Sequence, residues 1–235
     1  MEAALFVERT GPRAALVRVE VAVAPGWRVY GLTSEYGVRP ALALDLPQGV
    51  ALDGPLEETP PHLGLALGEL PITAHRGRAT FEQRLSLSTE APLALEATFT
   101  WQVCDEADTF CAPGRAEATL VVAGADGHAT GSWVIGRDER VRVEVSQERT
   151  GQTQPWVFAE VVGRGDWIVT DHDLAAPGSW EEVAQIGRRG RSGVSYGPAP
   201  SPGTPVRVRV RWTGRTAAGT PGSGEAWASL PVPPP

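Results

Sequence analysis

The sequence contains no lysine. All 21 of its basic residues are arginine, set against 28 acidic ones, for a formal net charge of −7. The missing amine excludes Schiff-base chemistry by a catalytic lysine, and the acidic balance disfavours nucleic-acid phosphate as a partner. Long helices are excluded as well. With 27 Gly and 21 Pro in 235 residues, about one position in five interrupts regular backbone, because Pro removes an amide donor and Gly costs ordering entropy. No uncharged apolar run approaches the ~18 residues that a membrane-spanning helix needs. Cysteine is scarce and pointed: there are two, Cys104 and Cys111, with six residues between them.

The first residues, Met1–Pro12, carry early acidic side chains and no apolar segment, so no secretory leader is visible. Either the chain is cytosolic or a leader has been removed. The cysteine pair favours the second, because a disulfide persists outside the reducing cytosol. The length suits one or two domains, each large enough to bury a core without staples.

What the sequence has in quantity is strand patterning. Leu16–Ala24, Ala41–Leu46 and Thr80–Leu87 alternate apolar and polar residues. Leu93–Val103 does so most cleanly: Leu93, Leu95, Ala97, Phe99, Trp101 and Val103 fall on one face, with Glu96, Thr98, Thr100 and Gln102 opposite. Ala116–Val122 follows as a second strand. Short strands separated by Pro/Gly turns predict an all-β fold, an immunoglobulin-like antiparallel β-sandwich over residues 1–125. Ala123–Gly131 reads as a hinge or hairpin connection. A second β-rich domain, residues 126–235, is expected from Arg140–Gln147, Trp156–Val162, Asp166–Thr170 and Pro205–Trp212. Ser179–Ile186 is the best helix candidate, with Ser179 and Glu182 at capping-box spacing. Gly197–Pro205 and Ala217–Gly224 read as loops, and Pro231–Pro235 as an extended tail.

Strand parity places Cys104 with Thr98, Thr100 and Gln102, away from Phe99 and Trp101, where an inert core cysteine is less natural. Cys111 follows the short turn Asp105–Phe110, so the two thiols are expected at one end of a hairpin, near the surface. Opposed residues in such a pair have Cβ atoms ~4.5–5.5 Å apart, which a disulfide can bridge. The loop it would close is short, so the bond would contribute only ~2–3 kcal/mol. A structural staple and a redox switch both remain open on spacing alone. Zinc is disfavoured, because two Cys and four scattered His lack ligand spacing.

The surrounding residues add to this. The run Pro25-Gly26-Trp27-Arg28-Val29-Tyr30 resembles the PGW-x-x-Y stretch in the N-terminal domain of the thiol:disulfide interchange protein DsbD family. Phe99–Pro113 (FTWQVCDEADTFCAP) resembles the family's second landmark: a strand ending in a first Cys, an acidic turn, then F-C-x-P. The resemblance spans roughly residues 1–125, matching at Cys104, Phe110, Cys111 and Pro113, with Asp105 and Glu106 in the acidic turn. It implies an immunoglobulin-like domain outside the cytoplasmic membrane. Such a domain takes electrons from a membrane-embedded transporter and reduces oxidised, thioredoxin-like or other disulfide-bearing partner proteins, without a cofactor. By the same resemblance Cys111 is the attacking thiol and Cys104 the resolving one. The chain departs from the family's pattern in two places. Its Cys-to-Cys turn is one residue longer, and the loop where the family carries an aromatic cap, around Pro60–Glu69, has no Phe or Tyr; Leu65 or Leu67 stands there instead.

Asp105, Glu106 and Asp108 should raise the thiol pKa, or supply a proton acceptor, or simply be solvated turn residues. Asp171-His172-Asp173 reads as a loop turn rather than a converging acid/base cluster. Trp27, Trp101, Trp156, Trp167 and Trp212 read as core rather than as a carbohydrate platform. Arg207, Arg209 and Arg211 read as a solvated strand face opposite Val206, Val208 and Val210, and Arg188, Arg189 and Arg191 as a solvated loop. The competing functional class is a non-enzymatic two-domain binding or assembly module with a structural Cys104–Cys111 bridge.

Overall fold

The clean alternation of Leu93–Val103 becomes the longest of the described strands, and its apolar face is the wall of a core. The structure, a computed structural model, describes residues 2–67, 70–127, 131–136, 138–150, 154–176, 182–188, 191–196 and 205–232. In chain order the strands are β1 (Glu2–Gly11), β2 (Ala14–Ala22), β3 (Trp27–Tyr30), β4 (Ala41–Asp45), β5 (Val50–Leu52), β6 (Glu57–Glu58), β7 (His62–Leu67), β8 (Leu70–His75), β9 (Arg78–Leu87) and β10 (Leu93–Asp105). The second half continues with β11 (Cys111–Val122), β12 (Gly131–Ile135), β13 (Val141–Thr150), β14 (Gln154–Gly163), β15 (Trp167–Ala175), β16 (Glu182–Arg188), β17 (Arg191–Tyr196), β18 (Pro205–Thr216) and β19 (Pro221–Pro231). The described residues contain no helix.

Three sheets are layered. The first runs β1-β2-β9-β5, with β6 also on β9; the central one runs β15-β18-β19-β11-β10-β3-β8-β7, with β4 on β10; the third runs β12-β13-β14-β17-β16. The all-β sandwich expected from the patterning is what forms. Phe81, Leu85, Phe99, Leu120 and Val122 belong to an apolar core between the first sheet and β10–β11. Val143, Val145, Val208 and Trp212 belong to a second core between the third sheet and β18–β19. Strand β11 serves both, because successive side chains point to opposite faces: Leu120 and Val122 enter the first core and Val121 the second. Among the described residues the strand pairings are antiparallel save one. Strands β11 and β19 run parallel at Thr119↔Ala228 and Leu120↔Ser229, joining both halves of the chain in one sheet.

Several local expectations change. Glu182–Ile186 forms part of β16, antiparallel to β17, rather than a helix. Two helical turns offer too few internal bonds to repay nucleation, whereas a partner strand supplies a ladder at once. Ser179 lies outside the described residues. Asp171-His172-Asp173 forms strand, not loop, registered against Thr213, Trp212 and Arg211, with a bulge at Val169/Asp171. The three side chains alternate faces and do not converge. The expected loop at Ala217–Gly224 is shorter, since β19 begins at Pro221. The tail is not free at its start: Pro231 pairs with Pro205, and Val232 is buried. Residues 197–204 and 233–235 lie outside the described set.

Of the five tryptophans read as core, Trp101 and Trp212 are buried, while Trp27, Trp156 and Trp167 are half-buried. The β18 parity holds, with Val206, Val208 and Val210 fully inside. The arginines opposite are engaged rather than merely solvated. Arg207 pairs with Glu2 at 2.8 Å and lies 3.7 Å from the Trp227 ring centroid, and Arg211 approaches Glu225 at 3.6 Å. The backbones of Arg188 and Arg191 pair across the β16–β17 hairpin; Arg189 lies outside the described residues.

Candidate redox site at the cysteine hairpin

The β10–β11 register closes on the cysteines. It runs without a shift from Leu93↔Val122 to Cys104↔Cys111, and the two sulfurs are bonded. Asp105 N donates to Phe110 O at 2.9 Å, so the next pair outward is hydrogen-bonded. By alternation Cys104/Cys111 is a non-hydrogen-bonded pair, the class whose side chains stand closest. Their Cα atoms are 4.1 Å apart. The same alternation accounts for Pro113, which is exposed and faces Gln102 in the register. It sits two residues on, again at a non-hydrogen-bonded position, where a missing amide donor costs the ladder nothing.

The two sulfurs have unequal surroundings. Cys111 lies at the surface, next to Phe110, which is 58% exposed. Cys104 is 0% exposed. Parity holds, for Cys104 points away from Phe99 and Trp101, but the expectation that the pair lies near the surface fails for this sulfur. The outer face of the central sheet carries its own small apolar cluster, in which Cys104 packs with Tyr30, Ile72 and Ala74, and Tyr36 lies against it. These residues come from β3, β8 and the loop after β3, and pairing alone puts them together: Cys104 faces Arg28, and Tyr30 faces Ala74.

Asp105, Glu106 and Asp108 do three different things. Asp105 builds the turn. Its carboxylate accepts from Thr109 N at 2.7 Å and from the Thr109 hydroxyl, and the side-chain bond from Thr109, with backbone donors at Thr109 and Phe110, holds its pKa below the ordinary carboxylate range. Glu106 pairs with Arg76 at 3.2 Å, both half exposed. Asp108 turns inward. It adopts φ +55°, a left-handed conformation that Asp tolerates better than most residues. The turn thereby folds the carboxylate onto the buried face, where Arg28 forms an ion pair with it and the Tyr30 hydroxyl donates to its Oδ1 at 3.2 Å. The side chains of Arg28 and Asp108 are 3% and 6% exposed. Burial alone would depress the Arg28 pKa, but the hydrogen bond and charge of Asp108 outweigh it and leave the group raised. Burial, and then the charge of Asp108, push the Tyr30 phenol up.

Arg28 and Tyr30 were not singled out for chemistry by the sequence, although both lie inside the PGW-x-x-Y run. The signal that could have found them is strand parity counted from Cys104 to a partner strand, which a single sequence does not pair. Phe110 packs edge-on against Trp27, with ring centroids 6.0 Å apart, so an aromatic pair does stand beside Cys111, from β3 and the turn. The side chains of Leu65 and Leu67, where a cap was expected, lie outside those the structure describes.

Among the described residues, donor atoms of Cys104, Asp108 and Cys111 lie within 4.8 Å of one another, the spacing of a metal site. In this state the disulfide holds both sulfurs and Arg28 pairs with the carboxylate, so these donor atoms are already engaged with one another and with Arg28.

Fold and site together define an all-β protein with a cross-strand disulfide, one sulfur outward and the other enclosed beside a buried ion pair. No family model matches the sequence, and no curated protein does. Among solved structures, the reduced N-terminal domain of DsbD from Neisseria meningitidis is similar over 51% of this chain and 84% of its own, with 13% identity and a TM-score of 0.34. The YadV chaperone is similar over 97% of this chain and 100% of its own, with 11% identity and a TM-score of 0.27.

Proposed function

We propose that the chain is an extracytoplasmic thiol:disulfide exchange protein, a protein-disulfide reductase component. It would pass reducing equivalents from a membrane electron transporter on another chain or segment to oxidised, thioredoxin-like or other disulfide-bearing partners. The observation that carries this reading is the asymmetry of the Cys104–Cys111 bond, with Cys111 at the surface and Cys104 enclosed. Exchange needs one sulfur open to in-line attack and a second held ready behind it. The PGW-x-x-Y and F-C-x-P runs support the same reading. In the reduced form the Cys111 thiolate attacks a partner disulfide, giving a mixed disulfide and a partner thiolate, which takes up a proton. Cys104, as a thiolate, then attacks Cys111 Sγ, restoring the internal bond and releasing the partner's second thiol. No cofactor enters. Phe110 and Pro113 flank Cys111 as contact residues, and Asp105 and Glu106 shape the turn that presents it.

The test is a Cys104→Ala variant incubated with oxidised extracytoplasmic proteins. Covalent complexes on Cys111 that dissolve with reductant are expected. Their absence, with the variant folded, sinks the proposal.

A second reading, a binding or assembly module in which the bond is a staple, is favoured by one observation: Cys104 sits fully inside the cluster with Tyr30, Ile72 and Ala74. A bond that resists thioredoxin-like reductants supports it.

A further inference from the structure

A buried arginine is registered against the enclosed cysteine. Arg28 on β3 stands directly opposite Cys104 on β10, where same-face side chains of an antiparallel pair have Cβ atoms ~4.5–5.5 Å apart. Both residues are buried, Arg28 at 3% and Cys104 at 0% exposure. Asp108 engages Arg28 through one terminal nitrogen, Nη2. The Arg28 Nε–H, also buried, has no hydrogen-bond partner in the disulfide form. Native proteins rarely leave such a donor idle, because an unmet buried donor forfeits its hydration. A disulfide sulfur is a poor acceptor. A thiolate is a strong one, and it carries the charge that a guanidinium prefers.

We propose that Arg28 is a positioning residue for the buried sulfur, completing its hydrogen bonding only when the Cys104–Cys111 bond opens and Cys104 becomes a thiolate. The assignment rests on the exchange reading above and adds which sulfur bears the charge. When a donor thiolate attacks Cys111 Sγ, the internal S–S bond breaks and Cys104 leaves with the electron pair beside Arg28. A more acidic leaving thiol departs faster. A second donor thiolate then attacks the donor's own sulfur in the mixed disulfide, Cys111 leaves and is protonated from solvent, and the donor becomes a disulfide. Two electrons have moved from donor to pair. In the opposite direction, Cys104 needs no base to resolve a mixed disulfide, since it is already ionised.

Among the described side chains, the charged and titratable groups around Cys104 are Arg28 and Tyr30 on β3, Asp108 and Asp105 in the turn, Tyr36 in the loop after β3, and Cys111. Arg28 is the one cation among them. Asp108 opposes it, so the two residues give effects of opposite sign.

The test is a thiolate titration by ultraviolet absorbance in a reduced Cys111→Ser chain, where Cys104 is the only thiol. An opposite charge within a few ångströms shifts a pKa by ~1–3 units, so Cys104 is expected to titrate below the ordinary thiol value of ~8.5. Asp108→Asn should lower the midpoint further. Arg28→Gln should raise it by about one unit or more, a roughly tenfold loss of thiolate at a given pH below the midpoint. Should Arg28→Gln alone fail to fold with Asp108 unpaired, Arg28→Gln with Asp108→Asn is compared with Asp108→Asn, and the same rise is expected. A midpoint indifferent to Arg28, or one already at or above the ordinary thiol value, overturns the assignment. That outcome is separate from the exchange reading, which falls if Cys104→Ala captures no partner, whatever the titration shows.

Discussion

Arg28 on β3 and Asp108 in the turn between the cysteines form an ion pair whose side chains are both more than nine-tenths buried. Removing a charge from water is costly, and removing one partner strands the other. Arg28→Met is therefore expected to destabilise the fold by ~3–5 kcal/mol. Arg28→Met with Asp108→Leu should recover part of that loss, because neither charge is then left alone. Urea unfolding of the two variants checks this. A single variant as stable as the parent would mean that the pair is hydrated.

Asp105 gives a pH signature. Hydrogen bonds from Thr109 hold its folded pKa below the ordinary range, whereas the unfolded carboxylate titrates near ~3.9. Its contribution to stability is present above the unfolded value and is lost as pH falls through the folded one. The stability gap between the parent and Asp105→Asn should be constant near neutrality and shrink on acidification below about pH 4. Denaturant midpoints taken across that range measure it, and a gap that widens with acid contradicts the turn assignment.

Gly37 lies over the cover of Cys104. Its φ of +75° disfavours any side chain, and a Cβ there would clash with the edge of the Tyr30 ring at Cε2 and Cδ2. Gly37→Ala should cost ~1–3 kcal/mol, the scale of overpacking a tight site. It should also make Cys104 easier to alkylate after reduction, because Tyr30 must move off it. Alkylation rates in the Cys111→Ser background read this out.

The strands that a single sequence showed best are those with one apolar and one polar face, such as β2, β9, β10 and β18, where Arg18, Glu82, Gln102 and Arg209 alternate with buried residues. The period of two carries the whole signal there. Strand β1 was missed, since Ala3, Ala4 and Leu5 blur the alternation. Strand β16 was taken for a helix, because local spacing cannot see the ladder offered by β17. The cysteine pair, Phe110 and Pro113 were legible as a motif. The burial of Cys104 was not: it depends on β3 lying beside β10 and β8 beside β3, pairings that no local spacing in the sequence encodes. Arg28 and Asp108 were legible only as letters within their runs, for their partnership is made by register and by one left-handed turn residue.

Phe110 separates contact from stability. It is 58% exposed and touches Trp27 edge-on. Phe110→Ala should change stability by no more than about 0.5 kcal/mol, as exposed substitutions do. Reduction of the disulfide by a small thiol should speed up several-fold while reduction by a thioredoxin-like protein slows. Parallel rate measurements with both reductants decide; equal effects on the two would deny Phe110 any part in selecting the attacker.

The reduction potential of Cys104–Cys111, by equilibration with glutathione and thioredoxin-like couples, tests the central claim most directly. A cycling pair is expected well above the ~−300 mV below which structural disulfides typically lie, with reduction by a thioredoxin-like donor complete in seconds to minutes. A potential below that mark, with the bond intact after prolonged exposure to such donors in the folded protein, would make Cys104–Cys111 a staple and contradict the exchange account.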